Sequence, residues 1–203
     1  MLLAALLGCA APVAALPVPT FRFEPVHVGA IVLDDLYTDV AGAESGTAVR
    51  LGVGVALAWS RGLELGCSLG RSALHTDFGL LDGPKVRMER ADTGVELRYR
   101  PPFALGGWGA QAGASLGRVS LGYRPDHVEL SAGGETIGVD LDDVGAWTQG
   151  IAAELLHGWP GGTQIVLRTA WTFYALRIAT PAGAATRSVH DLVIGVSLRA
   201  RPW

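Results

Sequence analysis

Few side chains in this sequence are spaced for catalysis. Ser188 and His190 stand two residues apart, so in a strand both would lie on one face, where a nucleophile and a general base could meet. His75 and Asp77 repeat that spacing and offer a base with a carboxylate to orient it. Asp140, Asp142 and Asp143, with Glu135 nearby, gather the oxygen ligands that calcium takes, but not at EF-hand spacing; a solvated loop is the expectation. Cys67 reads as a small hydrophobe rather than a redox centre. Phosphate-cradling loops, zinc spacings and dinucleotide fingerprints are all missing from the sequence. No catalytic, cofactor-binding or metal-binding set is therefore assigned, and no cofactor is expected.

A second group of ionisable residues is more informative: Arg50, Glu64, Glu96, Arg98, Glu154, Arg168, Asp191 and Arg199. Each belongs to a stretch in which one parity is apolar and the other is Gly, Ala, Ser or charged. Residues 48–60, AVRLGVGVALAWS, show it best. Val49, Leu51, Val53, Val55, Leu57 and Trp59 share one parity, while Arg50, Gly52, Gly54, Ala56, Ala58 and Ser60 share the other. Period two is a strand pattern, and the stretch is longer than the ~5–6 residues usual in soluble sheets. It matches the ~9–11 residues that cross a bilayer at a tilt of ~45°.

Seven further segments accompany it: 26–33, 63–70, 93–100, 108–117, 147–155, 164–175 and 191–200. The first is apolar on both parities. At Arg118 the apolar parity changes, which predicts a bulge. Arg61-Gly62, Pro101-Pro102 and residues 157–162 make short turns, whereas 34–47, 75–92, 123–144 and 179–186 are long and polar. Within 123–144, residues 128–131 and 136–141 flank Gly133-Gly134 as a projecting hairpin. Eight strands with alternating short and long connections predict an all-β fold: a closed antiparallel up-and-down transmembrane barrel with short periplasmic turns and four long extracellular loops.

The charged parity cannot face lipid, because a cation at the midplane costs ~2–4 kcal/mol. The eight ionisable residues are therefore expected to form a lumen charge network. An eight-stranded interior is just wide enough for side chains to fill it, so a plugged or narrow lumen is expected. Trp59, Tyr99 and Trp108 fall near the short turns, and Trp147 and Phe173 near the long loops; these are candidate aromatic girdles. A soluble lipocalin-like carrier is the competing fold and would put the apolar parity inside.

Composition agrees. Of 203 residues 49% are hydrophobic and 17% charged, below the ~25% usual in soluble domains. Lys85 is the sole lysine, and the net charge of −3 leaves no basic footprint for nucleic acid. No run of ~18 apolar residues follows residue 19, so no transmembrane helix is expected. Residues 1–19 read as a leader directing Sec export, with cleavage expected near Ala15. Leu6-Leu7-Gly8-Cys9 offers the competing reading of a lipoprotein box with Cys9 acylated. Residues 20–203 would form the barrel.

The alternating segments, the leader and the closing Val196-Ser197-Leu198-Arg199-Ala200-Arg201-Pro202-Trp203 resemble the small outer-membrane barrels of Gram-negative bacteria, the OmpA/OmpX/OmpW-like group. The resemblance lies in pattern and covers nearly all of the mature chain. It implies a monomer in the bacterial outer membrane, in contact with outer-membrane lipids and lipopolysaccharide, and with Trp203 as the signal read by the assembly machinery. Pro202 breaks the alternation and puts Trp203 off the parity of Leu198 and Ala200. A structural or surface-interaction role is the leading expectation. A narrow, porin-like channel for ions or small hydrophobic molecules is the alternative. A lipid A-modifying enzyme is the third; that deacylase group carries His-x-Ser, and here the order at 188–190 is reversed.

Overall fold

Alternating burial organises every long strand. The computed structural model describes residues 18–34, 46–76, 86–102, 104–132, 135–158, 162–180 and 183–200. Residues 1–17 of the leader, with Cys9 and Ala15, and also Asp77, Lys85 and Trp203, lie outside them. In chain order the strands are β1 Thr20–Val32, β2 Thr47–Ala58, β3 Leu63–Thr76, β4 Val86–Tyr99, β5 Ala104–Leu105, β6 Trp108–Arg124, β7 His127–Ala132, β8 Glu135–Asp140, β9 Val144–Gly158, β10 Gln164–Thr180 and β11 Gly183–Ala200. Each of β1, β2, β3, β4, β6, β9, β10 and β11 pairs antiparallel with its neighbours, and the β4–β6 and β1–β11 ladders close the sheet into an eight-stranded barrel. β5 is a two-residue strand in one short turn; β7 and β8 form a separate hairpin.

The barrel is apolar outside and charged inside. Val49, Leu51, Leu69, Leu116, Ile151 and Ile194 are all more than half exposed, while Glu64, Arg98, Asp191 and Arg199 are almost fully buried. Solvated aliphatics around a dry charged interior would be doubly unfavourable in water. In hydrocarbon both preferences reverse, so the lipocalin-like arrangement is overturned. From Val49 to Trp59 is ten residue steps, about 33 Å of strand and about 25 Å of height at a tilt of ~40°. No helix among the described residues is long and apolar enough to cross a membrane.

Four sequence expectations need correction or extension. β1 starts earlier than residue 26, and its register shifts between Phe23 and Val26 against β11 and between Glu24 and His27 against β2. The bulge falls at Pro25, which has no N–H to give a ladder. It lets Phe23 and Val26 both face out while Glu24 and His27 are buried, which is why one straight strand could not be oriented. At Arg118 there is no bulge: β6 keeps an unbroken register with β4 and with β9. Arg118 instead stays outward and exposed, and the apolar side chains move inside, to Val119 and Leu121. β4 begins at Val86, so Arg90 and Asp92 lie on a strand instead of in a connection. The segment 179–186 is largely paired strand, with β10 and β11 matched as far as Thr180 and Gly183.

The inward switch recurs around the long-loop end. Ile31, Leu33, Leu74, Met88, Val119, Leu121, Leu176, Val189 and Val193 meet there as one buried cluster, while Arg87 and Glu89 point out. Beyond the bilayer the outside of the barrel meets water, so the sheet reverts to the polarity of a soluble protein. We expect Val53→Arg, on the outward mid-height face, to cost about 2–4 kcal/mol of folding stability in vesicles. Ser120→Arg, outward but above the belt, should stay within about 0.5 kcal/mol. Denaturant titration measures both, and a neutral Val53→Arg would place that face outside hydrocarbon.

Candidate functional site

The period-two pattern of β1, β4, β9, β10 and β11 aims Glu24, Glu96, Arg98, Glu154, Arg168 and Arg199 at the barrel axis, where they join in a ring of alternating sign. The Arg98 guanidinium donates from Nη1 to Glu24 Oε1 at 2.8 Å, and Arg199 Nε donates to the same oxygen at 2.7 Å. Arg199 Nη2 reaches Glu154 Oε2 at 2.9 Å, and Arg168 Nη1 reaches Glu154 Oε1 at 2.5 Å. Arg168 Nη2 meets Glu96 Oε2 at 2.8 Å, and Glu96 Oε2 accepts from Arg98 Nε at 3.0 Å, closing the circuit. Two branches extend it. Glu64 on β3 accepts from Arg98 at 2.8 Å and from Arg22 at 3.0 Å, and Gln111 on β6 accepts from Arg199 at 3.0 Å. Four arginines (22, 98, 168, 199) thus face four glutamates (24, 64, 96, 154), and the network is neutral.

Towards the long loops lies a second cluster. Arg50 on β2 grips Asp92 with a two-pronged pair through Nε and Nη2. Arg90 links Asp92 at 3.0 Å to Asp191 at 3.1 Å, and the Tyr174 hydroxyl donates to Asp191 Oδ2 at 2.6 Å. Glycine makes room for it: a Cβ on Gly70 would stand 2.2 Å from Arg50 Nη2. Between the clusters, the buried ring of His27 has no hydrogen-bond partner on Nε2 among the described residues. Above them the apolar cluster spans the barrel, and Ile31, Met88 and Val119 are fully buried.

All eight residues expected in the lumen face inward, in these two clusters. Glu24, Arg22, Arg90, Asp92, Gln111, His27 and Tyr174 belong with them and were missed. A signal exists for four: Arg90 and Asp92 continue the even parity of Glu96 and Arg98, Gln111 shares the inward parity of Gly113 and Ser115, and Tyr174 that of Arg168 and Thr172. Glu24 needed the bulge. Tyr99, Trp108, Trp147 and Phe173 are exposed on the outer wall, and Trp59 is half-buried at a short turn. Trp108 packs on His157 with ring centroids 4.8 Å apart. Trp171, also exposed, adds to the long-loop side.

The remaining candidates are not assembled into a site. Ser188 and His190 face outward above the belt, and no hydrogen bond joins them among the described residues; His190 Nδ1 instead meets Asp34 Oδ2 at 2.8 Å. The side chains of His75 and Glu135, and all of Asp77, lie outside the described structure. Asp140 meets His127 at 2.6 Å across the β7–β8 hairpin. No cluster that could hold a metal ion occurs among the described residues. Cys67 is exposed on the outer wall.

No family model matches the sequence, and no curated protein does. Solved structures match in shape. Neisserial surface protein A superposes with a TM-score of 0.59 at 11% identity, over 90% of this chain and 97% of that one. Ail, the attachment invasion locus protein of Yersinia pestis, crystallised with the heparin analogue sucrose octasulfate, superposes with a TM-score of 0.51 at 9% identity, over 90% and 99%. The chain therefore has the fold of the small outer-membrane β-barrels, as its resemblance to the OmpA/OmpX/OmpW-like group implied.

Removing one member of a buried ion network strands its partners. Arg98→Ala, which leaves Glu24, Glu64 and Glu96 without their shared cation, should cost about 3–5 kcal/mol, read by denaturant titration in vesicles. Outside the membrane, the hydrogen bond that His127 Nδ1–H donates to the Asp140 carboxylate, with the negative charges of Asp140, Glu129 and Asp126, raises the His127 pKa above its usual 6.5. A raised folded pKa means that the contact is fully present below about 6.5 and is lost as pH climbs through the raised value. An NMR titration should show the raised midpoint, and Asp140→Asn should bring it back down.

Proposed function

We propose that this chain is a bacterial outer-membrane protein that does not conduct, and that acts by contact through its extracellular long-loop end. The observation that carries this reading is the lumen, where ion-paired side chains are stacked beneath an apolar cluster of fully buried Ile31, Met88 and Val119. To pass an ion, a channel would have to break several charge-assisted hydrogen bonds at once and then wet a dry cap. The working surface is then left to the rim, the β7–β8 hairpin and the extended β10–β11 hairpin. Attachment, the role carried in the name of the Yersinia pestis protein that shares this fold, belongs to the same class.

Planar-bilayer recording tests the closed lumen. The refolded protein should show no unitary conductance, and Arg98→Ala should not open one while the cap is intact. Stepwise currents in the wild type would favour the channel alternative. An epitope inserted between Ala132 and Glu135 should be labelled on intact Gram-negative cells; labelling only after lysis would overturn the assigned orientation. A mass change in lipid A on expression, lost in Ser188→Ala, would favour the enzyme instead.

A further inference from the structure

One ionisable side chain of the lumen belongs to neither ion cluster. His27 is 7% exposed, and its Nε2 has no hydrogen-bond partner among the described residues. Its place follows from the small residues beside it. Arg50, Gly29, Gly195 and Arg168 stand in one cross-strand row through β2, β1, β11 and β10. The two glycines leave a gap in that row, and the imidazole reaches into it: a Cβ on Gly195 would stand 2.9 Å from Nε2. His27 thus lies between two strands that each carry an inward arginine.

The charges that face the ring are all engaged elsewhere. They are Arg50 on β2, Asp92 on β4, Glu154 on β9, Arg168 on β10 and Glu24 on β1 itself, while β11 sets Gly195 and Ser197 beside it. Arg50 turns to Asp92, and Arg168 turns to Glu96 and Glu154. The lower network is neutral, and so is the upper one, with Arg50 and Arg90 against Asp92 and Asp191. A proton on His27 therefore adds a buried charge that no free carboxylate offsets. It adds it where β1 is held least by its ladder, since the bulge at Pro25 breaks the register on both sides. Across that break β1 is tied by a side chain: Glu24 accepts from Arg98 on β4 and from Arg199 on β11. A cationic imidazole next to Glu24 on the inner face of β1 competes for that carboxylate.

We propose that His27 makes the closing seam of the barrel acid-sensitive: a proton on its ring draws Glu24 from Arg98 and Arg199 and loosens β1 at the bulge, while the rest of the wall holds. At the long-loop end of the same seam His190 pairs with Asp34. A proton there strengthens the pair, so it opposes the loosening and cannot imitate it. The device rests on the membrane-spanning reading but is independent of whether the lumen conducts.

Amide hydrogen exchange tests this in the full barrel refolded in phosphatidylcholine vesicles, with rates corrected for the pH dependence of the exchange chemistry. Peptides from β1 and from β9–β10 are compared at about pH 7.5 and about pH 5, either side of the ordinary histidine value of about 6.5. In the wild type, protection across residues 23–29 should fall by on the order of tenfold in acid, while β9–β10 keeps its own. His27→Gln, polar but unable to titrate, should keep β1 protected at both pH values. Unchanged β1 protection in the wild type overturns the proposal, as does an equal acid loss in His27→Gln or in β9–β10. A heat-modifiable gel shift is measured on every sample: a chain that never inserts fails there, whereas a wrong assignment of His27 fails only in the exchange step. Should His27→Gln not fold, the wild-type contrast between β1 and β9–β10 decides, and its absence overturns the proposal.

Discussion

Hydrocarbon offers no partner to a backbone N–H or C=O, and the rest of this structure follows from that. A sheet that spans a bilayer must close on itself, and closure with only eight strands leaves an interior about as wide as the side chains that fill it. The outer wall is then available only to apolar residues, so the polar ones go inside. There they cannot be left single. The circuit from Arg98 through Glu24, Arg199, Glu154, Arg168 and Glu96 back to Arg98 satisfies each charge with neighbours from five strands. Such a network is weak evidence for net stability. It does fix which side chain stands against which, and so favours one register of the closing strands.

Crowding explains the small residues. Gly70 leaves room for the Arg50 guanidinium, and Gly113 for the Glu96 carboxylate, 2.8 Å from where a Cβ would be. The bulge at Pro25 serves the same end, since it turns Glu24 into the lumen between Arg98 and Arg199 while Phe23 and Val26 both stay in lipid. Narrowness and pairing act together, and both work against a wide pore.

The inversion at the long-loop rim marks where the solvent changes. Below it, Leu116 is out and Gly117 is in; two residues on, Arg118 is out and Val119 is fully buried, with no break in the ladder. The strand does not change course; only the medium outside it does. Exposed arginines and a dry inner cap are two consequences of that one boundary. The apolar cluster stands above the paired charges, and the arginines stand on the outer wall just past the apolar belt.

Much was legible in the sequence because period-two alternation is a local property. Eight strands, their faces, the order of short and long connections, and eight lumen charges can all be read from neighbours in the chain. What fails is local too: one parity for a whole strand makes Arg118 suggest a bulge, and charges on both parities of 87–92 make Arg90 and Asp92 read as a connection. Nothing nearby in sequence reveals that the environment switches partway up β4 and β6, because that height depends on strand tilt and on the closed barrel. Nor could pairing be read, since Arg98 meets Glu24 and Arg199 meets Glu154 across a lumen that exists only once β1 and β11 have joined. The sequence determined which residues turn inward and which turn out. Only the tertiary structure decided which charges meet and where the apolar wall ends, because both depend on distances across the barrel and not along the chain.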